Sequence, residues 1–188
     1  MSIDEVKADI LKCTKCELYK TKTNYVVGEG NVNAKIMFIG EAPGQNEDLK
    51  GQPFVGRAGQ IFDDLLKSIN VKREDVYIAN ILKCRPPGNR PPMPTEIEQC
   101  TLHLNRQIET IKPKVICPMG NFAVGFIMKK YGSSDTIQGI SKLHGKVFHI
   151  RNLFDDIIVI PLYHPAVATY NPYMKEILQK DIKILEKY

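Results

Sequence analysis

Four of the five cysteines dictate how this chain must double back. Cys13 and Cys16 stand two residues apart near the start, and Cys84 and Cys100 follow much later with fifteen residues between them. One metal site taking all four sulfurs would tie the first segment to the middle of the chain. Soft thiolates favour zinc or an iron-sulfur cluster. The wide second spacing fits poorly with the short second knuckle of zinc modules. The spacing therefore ranks an iron-sulfur cluster first, structural zinc second and unrelated buried cysteines third. Cys117 is of another kind: it sits in the apolar run 115–119 and reads as a small core hydrophobe.

With 188 residues, 43% of them hydrophobic, the chain is long enough for one well-buried core and is read as a single domain, 1–188. The start carries neither a basic leader nor an apolar stretch of export length, and no later run is long enough to cross a bilayer. The expectation is a soluble, cytoplasmic protein. In that reducing setting thiols persist as ligands, and an odd number of cysteines argues against a disulfide scaffold. No long apolar stripe is left over once helices are placed, so a monomer is expected. The net charge of +5 is concentrated around the cysteines: Lys12, Lys15, Lys20 and Lys22 face only Glu17, and Lys83, Arg85 and Arg90 surround Cys84. That points to a polyanionic partner, with an ordinary solvated surface as the competing reading.

Residues 35–40, 76–82, 115–119 and 157–163 are short, nearly continuous apolar runs, the pattern of strands covered on both faces. Amphipathic helical patterns separate them. Ile61, Phe62, Leu65, Leu66 and Ile69 share one face, as do Ile97, Cys100, Leu104, Ile108 and Ile111, the latter helix opened by a Thr95 and Glu98 capping box. Further helices are expected at about 120–130, and from Pro172 to the end with Asn171 as cap and Met174, Ile177, Leu178, Ile182 and Leu185 inward. Ser2 and Glu5 open a short first helix, and 143–150 adds a hairpin-like edge element. Alternating strands and helices imply right-handed crossovers. The fold class is α/β: a three-layer α/β/α sandwich around a mostly parallel four-stranded sheet.

Ligands of open parallel sheets sit beyond the carboxyl ends of the strands, which selects loops 40–56, 80–94 and 164–171. The first is dense in glycine and proline and lacks both GxGxxG and GK[ST], so it is not a familiar phosphate cradle. It can bring main-chain N–H groups and Phe54 up to a small planar ligand, although Phe54 could equally plug the core. Asn80 ends an apolar strand, and its amide can match a pyrimidine edge. His164 follows the last strand on a loop stiffened by Pro165. His103, His144 and His149 lack such context and are read as scaffold or surface.

Taken together, GEAPG at 40–44 with Glu47 and Asp48, GQPFVGRAG at 51–59, Asn80 leading into Lys83, Cys84, Arg85, Pro86 and Pro87, HPA at 164–166 and the paired cysteines resemble the family 4 uracil-DNA glycosylases. The match runs from 13 to 166. The resemblance implies a uracil-DNA glycosylase-like fold and a structural 4Fe-4S cluster held by Cys13, Cys16, Cys84 and Cys100. It implies a base excision repair hydrolase that flips uracil out of single- or double-stranded DNA, cleaves its N-glycosidic bond and leaves an abasic site.

In that reading Phe54 stacks on the ring, Asn80 bonds the O4 and N3–H edge, and Glu47 blocks the thymine methyl group. His164 and backbone N–H groups of the loop that begins at Gly40, including Ala42, meet the charge developing on O2. Some relatives outside the family carry an aspartate where Ala42 stands; Glu41 is the nearest replacement, to position water, steady the sugar cation or brace the loop. Lys83, Arg85 and Arg90 would contact phosphates. Tyr170 would fill the gap left by the flipped base, or else pack under the terminal helix. The competing classes are a non-catalytic iron-sulfur protein that senses redox state or binds nucleic acid, and a zinc-stabilised binding module. Whether a sliding clamp or another repair partner docks is not legible in the sequence.

Overall fold

A computed structural model describes residues 2–132, 138–151 and 156–188. Helix α1 (Ile3–Leu11) is followed by strand β1 (Glu29–Gly30), β2 (Ile36–Gly40), α2 (Gln45–Lys50), α3 (Arg57–Ser68), β3 (Tyr77–Asn80) and α4 (Pro94–Ile111). Then come β4 (Val115–Pro118), α5 (Asn121–Tyr131), α6 (Ile140–Leu143), β5 (Phe148–Arg151), β6 (Asp156–Val159), α7 (Val167–Tyr170) and α8 (Tyr173–Ile182). The sheet order is β1-β3-β2-β4-β6-β5. Its four inner strands are parallel, with Phe38 opposite Ile78 on one side and Cys117 on the other. Both edge strands are antiparallel. The expected four parallel strands are thus present, and β5 overlaps the end of the segment 143–150 expected to form an edge. The two-residue β1 has no apolar signature that could announce it.

Period-two alternation assigns each strand residue to a layer. Met37, Ile39, Tyr77, Ala79 and Ile116 pack with Val6, Ile10, Leu104, Ile108 and Ile127, which places α1, α4 and α5 on one face. Ile36, Phe38, Ile78, Val115 and Cys117 pack with Phe62, Leu66, Leu178 and Ile182, which places α3 and α8 on the other. Cys117 is fully buried, as read, and burial pushes its thiol up.

Local signals fared unevenly. The Ser2 and Glu5 box forms in both directions. The Thr95 and Glu98 box does not: Pro94, pre-set in φ, takes the first helical position, and the Glu96 carboxylate accepts from the Met93 amide at 2.8 Å. The run 157–163 is a strand only to Val159, because Pro161 has no N–H to give the ladder; Leu162 resumes parallel pairing with Met119. The last helix starts at Tyr173 with Pro172, not Asn171, at its N-cap; Asn171 Oδ1 accepts from the Tyr173 amide at 3.1 Å, and the helix ends as a 3-10 turn over Lys183–Lys187.

Candidate active site

After β2 the chain runs to β3 on one side of the sheet and to β4 on the other, and that reversal opens a crevice at the strands' carboxyl ends. A pocket of about 390 Å³ fills it, lined by Glu41, Ala42, Gly44, Glu47, Phe54, Asn80, Arg90 and His164 among others. Residues from all three selected loops meet there.

Backbone order at the mouth begins with β2 and β3 continuing past their ends: the Ile81 and Leu82 amides donate to the carbonyls of Gly40 and Glu41, each at 3.0 Å. Gly40 is required by proximity. A Cβ there would lie 2.3 Å from Asn80 Oδ1 and 2.8 Å from Phe54 Cζ, so any side chain would push both groups out of place. Asn80 itself is buried. Glu47 acts as a staple: Oε1 accepts from the amides of Val55 at 2.9 Å and Gly56 at 2.8 Å, and Oε2 from Gly44 at 3.1 Å. Its carboxylate therefore ties the loop before α2 to the loop that carries Phe54.

Phe54 is buried, lies against His164 with ring centroids 5.4 Å apart at 27°, and has φ of +53°. An aromatic residue in the left-handed region costs on the order of 1–2 kcal/mol. Arg73, a residue the sequence reading missed, holds it there. Its guanidinium donates to the Phe54 carbonyl at 3.2 Å and to the Pro53 carbonyl, while Glu29 at 2.7 Å and Asp63 at 2.8 Å fix the fork from behind. Gly59 completes the turn, since a Cβ there would meet the Phe54 carbonyl oxygen at 1.9 Å. Replacing Arg73 with alanine is expected to lower kcat/KM on a pocket-sized substrate about tenfold, mainly through KM, with lysine recovering part of it. Single-turnover kinetics on folded variants checks this, and unchanged kcat/KM would reject the clamp.

His164 is oriented by its own loop. Nδ1 accepts from the Ala166 amide at 3.2 Å, which fixes the proton on Nε2. Burial lowers its pKa to about 4, against the opposing charge of Glu47, so the ring is neutral at pH 7. Burial raises the Glu41 carboxyl above the ordinary carboxylate range.

The basic residues divide. Lys83 is 1% exposed, and its ammonium donates to the Asn80 carbonyl and to Gln107 Oε1, each at 2.7 Å. Its expected contact with a phosphate is thereby corrected: it is an internal strut under Asn80, and burial lowers its pKa to about 8. Arg90 lines the pocket but forks onto Glu96 at 2.6 and 2.9 Å. Arg85 is half-buried, with Nε bonded to Asn89. Tyr170 is 89% exposed at the end of α7, which excludes the reading in which its ring packs under the terminal helix.

Cys13, Cys16, Cys84 and Cys100 line one hollow between the N-terminal segment, the loop after β3 and α4. Among the described residues no group of three or more His, Cys, Asp or Glu is gathered as a site for a metal ion. The four cysteines share the lining of that hollow, and burial pushes the thiols of Cys84 and Cys100 up to about 12 and about 11. As thiolates they need strong positive charge beside them. Chain order around the hollow is set by Tyr25, whose hydroxyl donates to the Cys13 carbonyl at 2.6 Å, and by the Lys83 amide, which donates to Cys100 Sγ at 3.2 Å.

Fold and site together define a doubly wound α/β protein with a pocket at the switch of its sheet, lined by Phe54, Asn80 and His164. The chain belongs to the uracil DNA glycosylase superfamily, whose family model matches residues 27–185, and within it to the type-4 group. It is 49% identical over 182 residues to the type-4 uracil-DNA glycosylase of Archaeoglobus fulgidus, covering 97% of this chain and 90% of that protein. It is 44% identical to the type-4 enzyme of Sulfurisphaera tokodaii, over 97% and 82% of the two chains. Against the type-4 enzyme of Thermotoga maritima the identity is 42%, over 95% and 90%.

Proposed function

We propose that this chain is a monofunctional uracil-DNA glycosylase of base excision repair: it takes uracil extruded from DNA, hydrolyses the N-glycosidic bond and leaves an abasic site. The observation that carries this is the convergence of Phe54, Asn80 and a neutral His164 on one pocket in a chain so similar to type-4 enzymes. The base stacks on Phe54. Asn80 accepts from N3–H and donates to O4. His164 Nε2–H and main-chain amides of the loop from Gly40, including Ala42, stabilise the negative charge that gathers on O2 as the bond breaks. Glu47 shapes the wall that meets position 5 of the ring, and Glu41 faces the sugar side, where a carboxylate favours the developing cation. Tyr170 fills the gap left in the stack, and Arg85 and Arg90 approach phosphates. DNA is the partner. No helix of the described residues is long and apolar enough to cross a membrane.

Cys13, Cys16, Cys84 and Cys100 would hold a 4Fe-4S cluster. Four soft thiolate donors from two distant stretches of the chain line one hollow, the donor set that such a cluster would take. Bound there, the cluster supplies a brace that locks the N-terminal segment to the loop after β3, and it takes no part in bond cleavage.

The test is incubation of the purified protein with a single-stranded oligonucleotide bearing one uracil, followed by alkali. Scission at the uracil and not at a thymine in the same place is expected, and an intact strand would overturn the assignment. The same preparation should contain about four irons and four acid-labile sulfides per chain; stoichiometric zinc instead would remove the cluster.

A further inference from the structure

His103 is 3% exposed, and neither of its ring nitrogens has a hydrogen-bond partner. Buried polar groups are almost always satisfied, and a histidine always carries at least one N–H in search of an acceptor. The ring lines the same hollow as the four cysteines. Helix geometry explains why: His103 follows Cys100 by one turn of α4, and side chains on a helix lean toward its N-terminus, so the imidazole is carried back over the sulfur.

Three of the polar groups nearby are committed elsewhere. The Lys83 ammonium is held by the Asn80 carbonyl and Gln107 Oε1, and the Gln107 amide group donates to the Val27 carbonyl and the Tyr77 hydroxyl. Tyr25 gives its hydroxyl proton to the Cys13 carbonyl. The four cysteine sulfurs share that hollow with His103 and are the soft acceptors it offers.

We propose that His103 donates an N–H···S hydrogen bond to the iron-sulfur cluster and thereby sets its reduction potential, an inference that rests on the cluster assigned above. One such bond already exists in the fold, from the Lys83 amide to Cys100 Sγ at 3.2 Å. Hydrogen bonds to sulfur favour the more negative, reduced state and so raise the potential. His103 is then a positioning and tuning residue of the cofactor, outside the uracil pocket.

The experiment uses the full chain, purified anaerobically, as wild type, His103→Leu and His103→Gln. Iron, labile sulfide and visible absorbance are measured first, then the midpoint potential by spectroelectrochemical titration. His103→Leu should keep its iron but shift the oxidised-to-reduced ratio at fixed potential about three- to tenfold toward the oxidised form, and His103→Gln, which can still donate, should recover part of it. A fully loaded His103→Leu protein with an unchanged midpoint overturns the proposal. A wild-type protein without iron and sulfide overturns the cluster itself, a distinct result.

Should the leucine variant fail to fold, wild-type protein labelled with nitrogen-15 histidine decides the matter. Electron-nuclear double resonance on the paramagnetic cluster should then show coupling to an imidazole nitrogen, and its absence rejects the bond. His103 alone among the four histidines lines this hollow.

Discussion

Replacing His164 with alanine is expected to slow uracil release by about 10²–10³-fold in single-turnover kcat, the usual loss on removing one oxyanion donor, with KM changed much less. Two independent contacts hold the imidazole ready: the Ala166 amide on Nδ1 at 3.2 Å and the Phe54 face at 5.4 Å. Pro165 stiffens the link between them. The donor therefore needs no reorganisation when charge reaches O2, and the penalty for losing it falls on the transition state. Equal rates for wild type and His164→Ala would place the chemistry elsewhere.

The same ring sets a pH signature. Because burial lowers His164 to about 4, uracil release should show no inflection near pH 6.5 from this residue. An acid limb, where one is seen, belongs to Glu41, whose buried carboxyl is raised and loses its charge earlier as pH falls. Stability follows from linkage: between pH 6.5 and about 4 the unfolded chain protonates this histidine and the folded chain does not, so native stability falls as pH drops through that window. His164→Gln should make that part of the melting curve against pH less steep, the remaining slope belonging to His103, which burial also lowers to about 4.

How much of this could be read from the chain depends on whether the signal is local. The four parallel strands were legible because each is a continuous apolar run, and Asn80 and His164 because a polar residue at the end of such a run has few reasons to be there. Lys83 was misread because a lysine beside two arginines looks like surface; its burial is decided by Gln107, twenty-four residues on, whose amide oxygen takes the ammonium. Arg73 left no trace in the sequence, since its partners Glu29, Pro53, Phe54 and Asp63 are brought together only by the fold. His103 reads as scaffold or surface, since nothing beside it in the sequence announces a site. Its spacing from Cys100, one helical turn, is the signal that could have found it.

Substitutions at Asn80 should change which base is released as well as how fast. Uracil offers O4 as acceptor and N3–H as donor, and cytosine presents the reverse at both positions. A buried amide that matches one edge leaves two mismatched pairs on the other, each worth about 1–1.5 kcal/mol, or together about 10²-fold. Asn80→Ala should thus lose about 10²-fold in uracil release. Asn80→Asp should lose a similar amount on uracil and gain on cytosine, because a carboxylate accepts from the cytosine amino group and cannot donate to O4. The pocket will hold that aspartate in the same place: the backbone carbonyl of residue 80 stays tied to Lys83, and Gly40 keeps the room beside it. Release from otherwise identical single strands bearing uracil or cytosine measures the ratio directly. An Asn80→Asp protein that falls equally on both bases would mean that the amide supports the strand end and does not read the ring.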